Sequence, residues 1–105
     1  MPQRELGLSV IVLEKLRVGG GSTTLCNGGF AVWGTDIQEA KGIKDSPELF
    51  EKEMLSMGKV NDPELVHRFV TETLPTYKWA KGLGVEFRDV TTGAGMSVPR
   101  PHLTR

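Results

Sequence analysis

A chain of 105 residues with 13 basic and 13 acidic side chains and no net charge is at most one small domain, and it carries no charged block suited to nucleic acid or an anionic membrane. The single cysteine, Cys26, excludes an internal disulfide and fits a reducing, cytoplasmic compartment. The longest apolar stretch, residues 6–13, falls far short of the ~20 residues a membrane-spanning helix needs; Glu14 and Lys15 follow it with no small-residue cleavage pattern, which argues against a signal peptide.

The first element in chain order is "LSVIVLE", residues 8–14. Its unbroken run of Val10, Ile11, Val12 and Leu13, β-branched at three positions, predicts a strand covered on both faces rather than a helical turn. Residues 17–35 then hold six glycines, Gly19, Gly20, Gly21, Gly28, Gly29 and Gly34, a density that predicts an ordered loop with unusual backbone angles or close approach to a ligand.

Two helices follow with matching start signals. "DSPELF" offers Asp45 or Ser46 as cap, Pro47 in the first turn where its missing N–H costs nothing, and Glu48 beside the positive helix end. "NDPELV" repeats the arrangement with Asp62, Pro63 and Glu64. Leu49, Phe50, Met54 and Met57 share one face of the first helix, which should stop near Gly58. Leu65, Val66, Phe69, Val70, Leu74 and Tyr77 share a face of the second, which runs toward Gly82–Gly84. Pro75 lies inside that pattern, and an interior proline costs ~3 kcal/mol, so a kink or an early stop is expected there. The last stretch, "VEFRDVTTGAGMSVPRPHLTR", reads as short β pieces broken by glycine and proline. It lacks a closing element, as in a domain that continues elsewhere.

Chemistry concentrates in the first thirty residues. In a dinucleotide-binding fold the acid that ends the second strand accepts hydrogen bonds from ribose hydroxyls, and Glu14, followed by Lys15, stands at such a position. The glycines beyond it would let backbone N–H groups approach phosphate or ring oxygens, with Ser22 and Thr23 adding hydroxyls. A solvated strand end is the competing reading of Glu14. Cys26 reads as a structural small residue, because no CxxC partner exists; His67 reads as solvated on a helix flank, and Met54 and Met57 as core. Trp33 could stack on a ligand, whereas Trp79 packs the helix end. His102 lacks an obvious carboxylate to orient it as an acid or base, and no metal site is expected.

Taken together, "VIVLEK", "GGGST", "GGFAVWGTDIQEAKGIKDSPELF", "NDPELV", "WAKGLGVEF" and "SVPRPH" resemble the FAD-binding domain of the fumarate reductase/succinate dehydrogenase flavoprotein superfamily from about Gly7 to His102. The family pattern runs strand, Glu-Lys, Gly-Gly-Asn-Ser/Thr, Gly-Gly, Thr-x-x-Gln, two proline-led helices, and an Arg-x-His stretch. The resemblance implies an α/β, partial Rossmann-like FAD-binding domain over residues 1–105. It would contain the second strand of the sheet, the glycine-rich loop, two to three helices and short C-terminal β pieces. The first strand and the GxGxxG loop are not in it, and "PQRELGL" would be the tail of the intervening helix.

Carried over by the resemblance, Glu14 is the ribose-binding acid, with Lys15 beside it. Gly20 and Gly21 are the glycines before the cofactor-binding pair Ser22–Thr23, and Gly28 and Gly29 are the second pair near the flavin. Ser22 replaces the family's usual asparagine and loses the amide's two-sided bonding. Arg100 and His102 match the Arg-x-His stretch and are expected on the flavin or substrate side. The implied activity of the parent protein is FAD-dependent hydride transfer to or from an activated carbon–carbon bond, the substrate being held by a capping domain outside this sequence, and this chain alone is expected to be inactive. One chain of a split flavoenzyme, or a non-catalytic scaffold or interaction domain, are the alternatives. Without neighbours for residues 8–14, self-association or a complementing chain is expected.

Overall fold

A computed structural model describes residues 7–104. Its elements are α1 (Gly21–Leu25), β1 (Phe30–Ala31), α2 (Asp36–Ala40), α3 (Pro47–Met57), α4 (Pro63–Gly82), β2 (Phe87–Val90) and β3 (Pro101–Thr104). The three strands form one antiparallel sheet in the order β1-β3-β2. Strand β3 is central, with His102 opposite Phe30 on one side and Val90 on the other. A bulge between Phe87 and Asp89 admits one extra residue, Arg88, whose guanidinium donates to the Thr104 carbonyl at 3.1 Å.

The proline-led helices begin where the cap signals put them. Ser46 caps α3 by accepting from the Leu49 N–H at 3.1 Å, and Asp62 caps α4 by accepting from Leu65 N–H at 3.1 Å. Helix α3 closes at Gly58, whose missing side chain leaves room for Asn61, and the Asn61 amide donates to the Leu55 and Gly58 carbonyls. Helices α3 and α4 pack on each other, with Phe50 edge-on to Phe69 at 6.3 Å between ring centres. A second cluster joins α4 to the sheet: Tyr77 lies 4.6 Å from Phe87 and 5.2 Å from the His102 ring. Val32, Phe50, Val70 and Tyr77 are the buried hydrophobic residues.

Several expectations are corrected. Residues 8–14 form no strand: no described residue pairs with them, and every position from 7 to 29 is exposed. A strand is defined by its ladder, and an apolar run without a neighbouring strand has nothing to bond. The glycine-rich stretch is not all loop, since it contains the short helix α1 and strand β1. Four helices are present among the described residues, rather than two or three, because α1 and α2 are only five residues each and lack a long apolar period. Helix α4 continues through Pro75 to Gly82; the bond that Pro75 cannot donate is offset by the anchoring of Val70, Thr73 and Tyr77, all buried, on both sides of it. On the predicted helix faces, Met57 and Leu65 are more than half exposed and Phe69 nearly half, while Thr73, outside the predicted stripe, is buried. The "PQRELGL" helix tail lies, up to residue 6, outside the described residues.

Candidate functional site

Local geometry divides the chain into an exposed glycine-bearing arm, residues 7–29, and a packed body. On the arm, the Glu14 carboxylate accepts the Leu16 N–H at 2.8 Å, which folds the chain back directly after the apolar run. Gly20 and Gly21 both take positive φ, 112° and 48°, and lead into α1, where the Thr23 N–H bonds the Gly20 carbonyl at 2.9 Å. A side chain at Gly20 would strike the Thr24 hydroxyl, so this turn needs glycine for both its angle and its contact. The Cys26 thiol donates to the Thr23 carbonyl at 3.1 Å and closes α1. Gly28 has φ 75°. A methyl built on it would lie 3.6 Å from Thr104 Oγ1, and one on Gly29 would lie 3.5 Å from Pro101 Cβ. The second glycine pair therefore rests against β3.

The packed body holds a continuous chain of buried polar side chains. Arg100 is fully buried and forms a two-pronged pair with Asp45, Nε to Oδ2 at 2.7 Å and Nη2 to Oδ1 at 2.8 Å. Its third nitrogen reaches Glu53, which also binds both the backbone and the hydroxyl of Ser97, and its guanidinium lies 4.6 Å over the Phe50 ring. Asp45 receives a further bond from the Gln38 amide, 3.1 Å, and the same nitrogen donates to the Pro99 carbonyl at 2.7 Å. Gln38 is the third helical residue of α2 and forms a reciprocal cap with Thr35, each side chain bonding the other's backbone. Thr35 Oγ1 in turn lies 2.7 Å from His102 Nε2, and His102 Nδ1 lies 3.2 Å from the Phe30 carbonyl oxygen. Every buried side-chain polar atom among the described residues has a partner, as low-dielectric burial requires.

The partners assign the protons. A carbonyl only accepts, so His102 carries its proton on Nδ1, and Nε2 accepts from the Thr35 hydroxyl. Burial pushes the His102 pKa down; the backbone carbonyls of Arg100 and Phe30 and the charge of Asp36 oppose this without reversing it. The ring is therefore neutral. Hydrogen bonds from Ser97 and then Arg100 hold Glu53 below the usual carboxylate range. At the start of α2, Asp36 binds Lys81 at 2.7 Å and the Tyr77 hydroxyl at 2.8 Å, and both bonds lower its pKa. Burial and Asp36 push the Tyr77 phenol far up.

The sequence-predicted residues fall into two places. Glu14, Lys15, Gly20, Gly21, Ser22, Thr23, Gly28 and Gly29 are all exposed on the arm. Arg100 and His102, expected on the flavin or substrate side, are completely buried, with their polar atoms engaged by the protein. Trp33 is held by its indole N–H on the Val70 carbonyl at 2.8 Å, and His67 pairs on the surface with Glu51. Sequence reasoning missed Thr35, Gln38 and Glu53 as members of the network. The Thr-x-x-Gln spacing of a capping box was a usable signal for the first two; Glu53, 47 residues from its Arg100 partner, left none. No group of three or more His, Cys, Asp or Glu side chains suited to a metal occurs among the described residues, and no helix among them is long and apolar enough to cross a membrane.

The family model described as "FAD binding domain" matches residues 3–102. NADH:fumarate oxidoreductase of Klebsiella pneumoniae (strain 342) is 39% identical over 100 residues, 94% of this chain and 11% of that protein. Fumarate reductase (cytochrome) of Shewanella frigidimarina is 40% identical over 97 residues, 91% of this chain and 17% of that one. Urocanate reductase of Eggerthella lenta (strain ATCC 25559) is 37% identical over 76 residues, 71% of this chain and 12% of its own length. The chain thus spans between about a tenth and a sixth of these relatives. By these matches, the chain belongs to the FAD-binding domain family of the fumarate reductase type of flavoproteins.

Proposed function

We propose that the arm, residues 14–29, forms the ribose- and flavin-side wall of the FAD site in an oxidoreductase of the fumarate reductase type. The observation that carries this reading is the segregation of residues: every side chain the family resemblance assigns to the cofactor through Gly29 is solvent-exposed, while the body beyond Phe30 satisfies its own polar groups. The donor set suits FAD. Glu14 is an exposed anionic acceptor for ribose hydroxyls, and Lys15 sits beside it with a positive charge. Gly20 and Gly21 present backbone at angles side chains disfavour, so their N–H groups can be approached closely. Ser22 and Thr23 add hydroxyl donors, and Gly28 and Gly29 leave a face without side chains where the arm joins the sheet.

When bound, FAD would supply the redox chemistry, exchanging a hydride with one carbon of a carbon–carbon bond activated by an electron-withdrawing neighbour while a proton is exchanged at the other. The residues of this chain bind and orient; the groups that hold substrate and move protons belong to other parts of the protein, so the chain alone does not turn over. A complementing segment or chain is favoured by one observation. Ile11, Val12 and Leu13 are 83%, 80% and 90% exposed, a continuous apolar edge that a neighbouring strand would cover.

Flavin fluorescence and visible absorbance, followed as the chain is titrated with FAD, test the reading. Saturable binding is expected, weakened at least tenfold in Glu14→Ala with an unchanged unfolding midpoint. Equal FAD affinity in the two proteins would remove Glu14 from the site.

A further inference from the structure

We propose that His102 is a positioning residue for the flavin-side glycine pair, its imidazole clamping the start of β1 through the Phe30 carbonyl and the Thr35 hydroxyl. The inference rests on the FAD reading of Gly28 and Gly29 but is carried by separate geometry. Nδ1 of His102 meets the carbonyl of Phe30, the residue that follows the glycine pair, and Nε2 meets the hydroxyl of Thr35 at the other end of the same segment. One ring therefore ties both ends of residues 30–35. The strand that carries His102 also flanks the pair directly, with Thr104 beside Gly28 and Pro101 beside Gly29. Val32, between the two anchors, donates its N–H to the Arg100 carbonyl at 3.2 Å. Because Arg100 and His102 are both fully buried, this frame is fixed before any ligand arrives, and pre-ordering a binding loop removes part of the entropy that binding would otherwise cost. Gly28, at positive φ, has no side chain of its own to fix it, so its position depends on what holds its neighbours.

Two replacements separate the ring's nitrogens. In His102→Asn the amide nitrogen can reach the place of Nδ1 and keep the bond to Phe30; in His102→Gln the longer side chain reaches toward Thr35 and gives up the Phe30 bond. The measurement is amide exchange of Phe30 and Val32, with the amide chemical shifts of Gly28 and Gly29, in the 105-residue chain without FAD. Amides of Phe69 and Val70 in α4 serve as the internal reference. The clamp predicts at least tenfold faster exchange at Phe30 and Val32 and displaced glycine resonances in His102→Gln. His102→Asn should remain within about threefold of the native chain, and the α4 amides should hold in both. Unchanged exchange at Phe30 and Val32 in both variants overturns the proposal. So does an equal loss of protection in α4, which would reduce His102 to general core packing. FAD titration of the same proteins separates this from the functional reading: a native chain that takes up no FAD refutes that reading, while the exchange pattern still decides the clamp.

Discussion

Replacing Asp45 by alanine removes the two-pronged acceptor of Arg100 and also one acceptor of the Gln38 amide. Both charged side chains of this pair are completely shielded from solvent, so water cannot take the carboxylate's place without opening the core. Glu53 remains on the third guanidinium nitrogen, but it is 14% exposed and shared with Ser97. Removing one partner of a buried pair typically costs about 3–5 kcal/mol, most of it the stranded charge rather than the lost attraction. Small domains of this size hold only about 5–15 kcal/mol in total and lose roughly 4–8 °C of Tm per kcal/mol. Asp45→Ala should therefore unfold at least ~12 °C below the native chain or fail to fold at 25 °C. Urea unfolding read through Trp33 and Trp79 fluorescence measures the effect, and an unchanged m-value would confirm that native stability was altered. The exposed Lys41–Asp89 pair supplies the comparison, since surface ion pairs contribute little. If Asp45→Ala cost no more than Asp89→Ala, the buried network would not hold the fold together.

Other perturbations follow from the same contacts. Pro75 is exposed and lies within a continuous helix; Pro75→Ala restores a donor for the Thr71 carbonyl and should raise the unfolding free energy by roughly 1–3 kcal/mol, whereas a loss of stability would show that the ring shapes α4. Gly95 has φ 72° and its missing side chain is filled by Met57, so Gly95→Ala should destabilise by about 1–2 kcal/mol through backbone strain and displaced packing, seen as a lower urea midpoint. His102 is held neutral, with a folded pKa below the ordinary value near 6.5. The unfolded chain then binds more protons, and stability should be flat above that value and fall as pH drops below it toward the folded pKa. Chemical unfolding between pH 5 and 8 would show this slope, and a slope that persisted in His102→Asn would assign it elsewhere.

How far the sequence was legible depended on the range of each interaction. Helix starts at Ser46 and Asp62 are written within four residues, because a cap and its N–H partner are three positions apart, and both were readable. The Gly58 stop was readable for the same reason. Strand readings failed at residues 8–14, where composition records β-branching but not whether a neighbouring strand exists. The antiparallel order β1-β3-β2 depends on pairing Phe30 with His102, a non-local match that no periodicity announces. Arg100 was singled out as a candidate site residue, yet its partners lie 55 and 47 positions away, so its burial as an ion-paired side chain was invisible. On the arm, the glycines at Gly20, Gly21 and Gly28 do adopt the angles that make glycine necessary. Their density was a local signal of local backbone geometry.

The most direct test of the central claim is a map of backbone amide shifts in the labelled chain with and without FAD. The account predicts that the largest changes fall on Glu14, Lys15, Gly20–Thr23, Gly28 and Gly29, with smaller ones at Phe30 and almost none along α3 and α4. Changes centred on the exposed side chains of Met57 and Phe69, with the arm unaffected, would contradict it.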